Sequence, residues 1–279
     1  MRRIPRGIVD EHVARTKFTL ARHAPAPALA EFVDYHWVLN WDLDGFHDQH
    51  VLPNVAVHVT FFPGACGVYG PGHTLFTHRL EGRAHGLGVR FRPGCFRPFL
   101  GAPVRLLADR SVPLEDVFGG GGAEAAESVR NASGDQEMIA AVDNLLIAKQ
   151  SALAPAARTA AAAVETIAED PEITRVDQLA ARAGLSARAL QRLFAEHVGC
   201  TPKWAIRIYR LNDAARSLAD AGSPDFADLA ARLGYSDQPH FTRDFRAVTG
   251  CSPGEFARSA RRAVSAEPIE HKPIAHKPR

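Results

Sequence analysis

Two short stretches of the chain carry side chains whose types and spacing suit the reading of base edges. Arg188, Gln191 and Arg192 fall in one, and Gln238, Thr242 and Arg243 in the other. An arginine fork matches the O6 and N7 of guanine, a glutamine amide matches the N6 and N7 of adenine, and a threonine suits a phosphate or the methyl group of thymine. A serine opens each stretch, Ser186 in the first and Ser236 in the second. A serine there caps a helix through its hydroxyl, and the free N–H groups of that helix end then face an anion such as phosphate. Arg207 and Arg210 lie between the two stretches. They suit phosphate contacts, and a structural ion pair fits them equally well. The plainer reading of Arg188, Gln191 and Arg192 is a solvated helix face.

The elements that must position them form an internal repeat. LAARAGLSARALQRLFAEHVGCTP begins at Leu179, and LAARLGYSDQPHFTRDFRAVTGCSP begins at Leu229. Leu179, Ala180, Ala181, Arg182, Gly184 and Ser186 match Leu229, Ala230, Ala231, Arg232, Gly234 and Ser236 at one offset. One residue is then inserted, and Arg192, Phe194, Gly199, Cys200 and Pro202 match Arg243, Phe245, Gly250, Cys251 and Pro253. Each copy reads as a helix ended by glycine, which tolerates the positive φ of a sharp turn. A plug follows (Leu185 or Tyr235), then a serine cap, then a second helix. The second helix buries Leu190, Leu193 and Phe194 in the first copy and Phe241 and Phe245 in the second. Its other face, with Gln191 and Arg192 or with Gln238, His240, Thr242 and Arg243, is left free. Pro239 falls in a first turn, where a missing N–H does no harm. A helix, a glycine turn and a capped second helix make the helix-turn-helix arrangement, whose second helix enters a major groove.

This part of the sequence resembles the AraC/XylS family. The resemblance rests on the tandem LAAR-x-G units, on L-x-R-L-F and F-T-R-D-F in the second helices, and on the G-x-[TS]-P stretches. It extends to Arg210, Leu211, Ala214 and Leu218 as R-L-x-x-A-x-x-L between the units, and covers about residues 160–260. It implies two recognition helices on one long linker helix, reading adjacent major-groove segments of duplex DNA. Family contacts map onto Gln191 and Arg192 and favour Gln238 and Arg243 for bases. The second unit of such proteins often contributes less sequence information. More loosely, VLPNVAVHVTFFPG and GVRFRPGCFRPFLGAPVRLLADRSVPLEDVFG resemble the N-terminal regions of some AraC-like regulators. That implies a cupin-like half-barrel that senses an effector, pairs with a second copy, or does both. RNA polymerase is a further partner left open by this likeness.

The remaining sequence sets the frame. The expected class is α+β, with a small N-terminal β-barrel (cupin-like) and flanking helices, then an all-α domain of two helix-turn-helix units joined by a long helix. The expected boundaries are 1–150 for the effector or dimerisation domain, 156–262 for the DNA-binding domain and 263–279 for a disordered tail. Val55, Val57, Val59 and Phe61 alternate with Ala56, His58, Thr60 and Phe62, the period of a strand. Short runs at 51–52, 55–62, 68–69 and 85–91, broken by Gly and Pro, suggest the barrel. Gly119–Gly122 reads as a flexible break, 123–148 as helix and Pro155 as the boundary. Net charge is only +2, and 156–262 holds 15 Arg plus Lys against 13 Asp plus Glu, so nucleic-acid binding must rest on where charges sit.

Within the N-terminal half, Arg90 and Arg92 share one strand face and, with His58, are candidates for holding an anionic effector; an exposed strand face is the equal alternative. The histidines at 47, 50, 58, 73, 78 and 85 lack the close His-x-His pair of a metal cupin. No metal or cofactor is expected. Cys66, Cys95, Cys200 and Cys251 form no C-x-x-C pair and read as small apolar residues. No catalytic set stands out, so the chain reads as no enzyme; the alternative is an enzyme or repair protein that uses its DNA-binding half for delivery. No apolar run is long enough to span a membrane and the N-terminus lacks an apolar secretory core, which suggests a cytoplasmic protein.

Overall fold

In the computed structural model, residues 7–9, 11–220 and 225–265 are described. The N-terminal half is built on a six-stranded antiparallel sheet. Its strands are β1 (Phe18–His23), β2 (Val33–Val51), β3 (His58–Phe62), β4 (Ala65–Tyr69), β5 (Phe76–Phe91) and β6 (Ser111–Val112), in the order β1-β2-β5-β3-β4-β6. The frame is the long β2/β5 ribbon, paired from Val33 and Phe91 to Val51 and Phe76, with a slip between Leu43 and Phe46 that bends it. β3 pairs with β5 only from His58 to Phe61, so the ribbon runs on past its end.

The sheet is open, which corrects the expected closed barrel. Its edge strands are β1 and the two-residue β6, and among the described residues they do not pair with each other. Helices cover the faces instead of strands closing the ring. These are α1 (Glu11–Lys17), α2 (Arg97–Leu100), α3 (Leu114–Phe118), α4 (Gly120–Asn131) and α5 (Asp135–Lys149). The glycine run is therefore no break, because all but Gly119 of it forms the first turn of α4. On one face Val38, Val59, Leu87, Val89 and Phe91 join Phe96, Phe99, Met138, Val142 and Leu146 in a single core. Two histidine–aspartate contacts pin α5 to the sheet, His36 to Asp143 at 2.7 Å and His23 to Asp135 at 2.8 Å. On the other face Trp37 and Trp41 stack with Phe62, ring centroids 5.0 and 6.2 Å away. Gly88 makes room for this stack, since a Cβ there would lie 2.1 Å from the Trp37 indole.

The rest of the described chain is helical: α6 (Pro155–Glu169), α7 (Val176–Arg182), α8 (Ala187–His197), α9 (Pro202–Asp220), α10 (Phe226–Arg232), α11 (Gln238–Thr249) and α12 (Pro253–Ser265). Leu190, Phe194, Ile208, Leu211, Phe241 and Phe245 sit in one core together with Val164 and Ile167 of α6. That core also takes Leu52 and Val55 from the sheet half, while Ala157 of α6 lies in the sheet's own core. α6 is thus shared by both cores. The tail expected to be disordered lies outside the described residues from residue 266 onward, and 263–265 belong to α12.

The two turns repeat closely. Gly184 and Gly234 have φ of 64° and 71°. In each turn the glycine N–H donates to the carbonyl three residues back (Ala181, Ala231), and the next N–H, of Leu185 or Tyr235, reaches the carbonyl of Ala180 or Ala230 at 2.9 Å. This is the six-to-one closure that needs a left-handed residue at the helix end. The caps differ. Ser186 Oγ accepts from the Ala189 N–H at 3.2 Å, as expected. In the second unit the inserted residue moves the cap from Ser236 to Asp237, whose carboxylate accepts from the His240 N–H at 2.7 Å. Ser236 Oγ instead donates to Asp237 at 3.1 Å. That bond to the His240 N–H holds the Asp237 carboxyl below the usual carboxylate range. Asp237→Ala should lower the thermal midpoint by roughly 2–4 °C, the effect of one lost cap in a chain of this size, and Ser236→Ala should shift it by less than about 1 °C. Calorimetry on the two variants checks the assignment.

Candidate nucleic-acid interface

On α8 the buried side is set by Leu190 and Phe194, both 0% exposed, while Arg188, Gln191 and Arg192 are exposed. On α11 Phe241 and Phe245 are likewise 0% exposed, and Gln238, His240 and Arg243 are exposed, with Thr242 partly covered. The equivalences of the repeat hold in three dimensions. Leu190 and Phe241 occupy the same helix position, as do Phe194 and Phe245, and Arg192 and Arg243 both stand in the open at the sixth position. Each arginine therefore projects from the N-terminal half of a helix whose opposite face is anchored by two large side chains.

The linker helix α9 holds the second unit through a polar cluster. Arg207 Nη2 donates to Asp244 Oδ1 at 3.0 Å, and the Tyr235 hydroxyl donates to Asp244 Oδ2 at 3.3 Å. The Arg210 guanidinium lies over the Tyr235 ring, 4.3 Å from its centroid. Burial draws the Arg210 pKa down and pushes the Tyr235 phenol up, which keeps the phenol a donor. Arg207 thus makes an ion pair with the second helix of the second unit, while Arg210 lies against the Tyr235 ring of its turn without an ion pair among the described residues. Sequence reasoning missed Tyr235 and Asp244 as polar partners. A signal existed: Asp244 stands where the first unit has Leu193, so an acid interrupts an otherwise apolar position.

Residues 179–259 match a family model described as a helix-turn-helix domain, and residues 21–113 match one described as a domain of unknown function. The probable transcription factor PqrA of Proteus vulgaris is 34% identical over 93 residues, which are 33% of this chain and 75% of that protein. The chain belongs to the AraC/XylS family of DNA-binding transcription regulators. The transcriptional activator NphR of a Rhodococcus species is 34% identical over 102 residues, 37% of this chain and 30% of that protein. The chain therefore spans under a third of this second relative. A solved AraC-type DNA-binding regulator from Chromobacterium violaceum aligns at 28% identity and a TM-score of 0.32, over 35% of this chain and 88% of that one.

In this AraC/XylS chain the N-terminal candidates are placed differently from one another. His58 and Arg90 are register partners across β3 and β5. Arg90 is 4% exposed, and its Nε donates to Asp34 Oδ2 at 3.1 Å. Arg92 lies 3.5 Å from Glu165 of α6 and borders a crevice of about 10 Å³, room for at most one water. A cleft of about 960 Å³ does exist in this half, and none of the three lines it. Among the described residues no group of three His, Cys, Asp or Glu side chains is arranged to hold a metal, and no helix is long and apolar enough to cross a membrane.

The environment of His58 has a measurable consequence. Burial, reinforced by the Arg90 charge, lowers its pKa from 6.5 to about 3. A group depressed in the folded state binds its proton first in the unfolded chain. Its contribution is therefore complete above pH 6.5 and is lost as pH falls toward 3, by about 1.4 kcal/mol per pH unit. Between pH 7 and pH 5 the unfolding free energy should fall by about 2 kcal/mol on account of His58. Denaturant titrations of His58→Gln should show that much less acid sensitivity; an unchanged difference between the two pH values would contradict the assignment.

Proposed function

We propose that α8 and α11 read two adjacent major-groove segments of one operator, with Gln191, Arg192, Gln238 and Arg243 at base edges. Arg188 lies beside them near the start of α8, and Thr242 reaches phosphate or a thymine methyl. The helix start at Ser186 lies along the phosphate backbone, while at the start of the second helix the His240 N–H is already taken up by the Asp237 carboxylate. The observation that carries this reading is the matched exposure of Arg192 and Arg243 above matched buried pairs. As a helix of 19 residues, α9 spans about 28 Å, close to the roughly 34 Å between successive major grooves.

The sheet half, residues 1–150, is read as the sensory part of a one-component cytoplasmic regulator that performs no reaction, joined near Pro155 to the DNA-binding part. A contact supports the coupling. Glu196, in the last turn of α8, accepts from Arg97 Nε at 2.6 Å and lies 3.7 Å from Arg105, both on the sheet half. A shift of that half would act directly on the first recognition helix.

Gln191→Ala and Arg192→Ala should each weaken binding to a selected operator by about 1–3 kcal/mol without loss of helicity, as for a lost bidentate base contact. Equal affinity in a titration of wild type and variants would remove both residues from the base-reading set. Inserting five base pairs between the two protected segments turns one by about half a helical turn. Affinity should then drop to that of a single unit; an operator that binds as before would show that only one unit reads DNA.

A further inference from the structure

The ribbon formed by β2 and β5 continues past the end of β3, and a cleft of about 960 Å³ opens where β3 leaves it. Its walls come from the junction of α1 and β1, the middle of β2 and β5, the β3–β4 turn and the end of α4. These segments are far apart in sequence, and none of the DNA-binding residues borders the cleft.

Two features of the lining stand together. The first is aromatic. Trp41 and Phe62 line the cleft and stack on each other at 27° between planes. The indole N–H of Trp41 is engaged by the Glu81 carbonyl at 3.1 Å, and the two rings, 6% and 2% exposed, close the floor of the cleft as part of the sheet's own core. The second is charge. Four cations, Arg15, Lys17, Arg83 and Arg130, border the cleft against one carboxylate, Asp42. Arg83 is 3.8 Å from Asp42, and Arg15 is 3.9 Å from Glu11 on its own helix, both exposed contacts of little strength. Lys17 and Arg130 make no ion pair with any described residue. Like charges gathered around a concavity create a local potential that an anion relieves. The volume lies at the upper end of small-molecule sites, which are mostly apolar with a few placed polar groups.

We propose that this cleft binds an organic anion, its acid group held between Lys17 and Arg130. The proposal rests on the reading of the sheet half as a sensor and supplies the site and ligand class that reading lacks. Cys66 lines the same cleft, with its thiol donating to the Phe62 carbonyl at 3.3 Å, and so reports on occupancy.

The test uses the full chain and two dyes of one shape, anilinonaphthalene sulfonate and the uncharged phenylnaphthylamine. The sulfonate should bind saturably, one per chain, and more tightly than the amine. Lys17→Gln with Arg130→Gln should weaken the sulfonate by at least about tenfold, the loss of one charge-assisted contact or more, and leave the amine unchanged. The same loss of charge placed elsewhere, Lys203→Gln with Arg246→Gln, should leave both dyes unchanged. Bound sulfonate should also slow alkylation of Cys66. Sulfonate affinity untouched by the cleft variant, equal binding of the two dyes, or an unprotected Cys66 would each overturn the proposal. Operator titrations with and without the sulfonate separate the two claims. Charge-dependent binding with unaltered DNA affinity upholds the cleft and removes the sensing reading beneath it.

Discussion

The DNA-binding half depends on the burial of one helix. α9 covers Trp204, Ile206, Ile208, Tyr209, Leu211, Ala214 and Leu218, so apolar contact surrounds it on most sides. Even its Asn212 is buried and donates to the Ile208 carbonyl one turn back at 2.9 Å. A helix packed in this way cannot rotate or slide without opening a cavity, and cavities in a close-packed core cost several kcal/mol. Phe194 and Phe245, the anchors of the two candidate reading helices, share its core. The distance between those helices is therefore set by the length of α9 and not by a flexible joint. The Arg207–Asp244–Tyr235 cluster adds direction to this apolar grip, because hydrogen bonds fix the angle of α11 where packing alone is tolerant.

The sheet half is joined to this unit by more than a linker. α6 contributes Ala157 to one core and Ala160, Val164 and Ile167 to the other. Its alanines allow close approach: the backbone of Ala161 lies within 3 Å of where a Cβ on Gly94 would stand. Around this seam run ion pairs between Arg158 and Glu31 at 2.7 Å and between Arg97 and Glu196 at 2.6 Å. Exposed pairs contribute little stability each, but they fix orientation. A ligand that moved the sheet by a fraction of an ångström would be felt at the end of α8, provided that it bound the two arrangements with different affinity.

The repeat was legible because its signals are local. Glycine turns, apolar spacing and caps depend on a few adjacent residues, and two copies check each other. The one misplaced detail, the cap at Ser236, arose because an inserted residue lets Asp237 compete for the same N–H groups, and a carboxylate at the first free position wins. The closed barrel was not legible. Alternation at 55–62 shows that a strand has two faces, but closure depends on whether β1 meets β6, a contact between residues nearly a hundred positions apart. For Arg90 the sequence offers an effector-holding cation or an exposed strand face, and neither shows its buried pairing, because the partner Asp34 sits on another strand, invisible to a period-two pattern. The cleft was hidden for the same reason, since Lys17, Trp41, Phe62 and Arg130 belong to different elements.

The central claim is that α9 holds the two helix-turn-helix units at one fixed separation. Ala181 and Ala231 are equivalent exposed positions of the two units, outside the faces assigned to DNA. Spin labels on Ala181→Cys and Ala231→Cys, in a chain with Cys66→Ser and Cys251→Ser, report the distance between the units by pulsed electron resonance. The account predicts a single narrow distance distribution that does not change when operator DNA is added. A broad or two-peaked distribution in the free protein, collapsing to one peak on DNA, would contradict it.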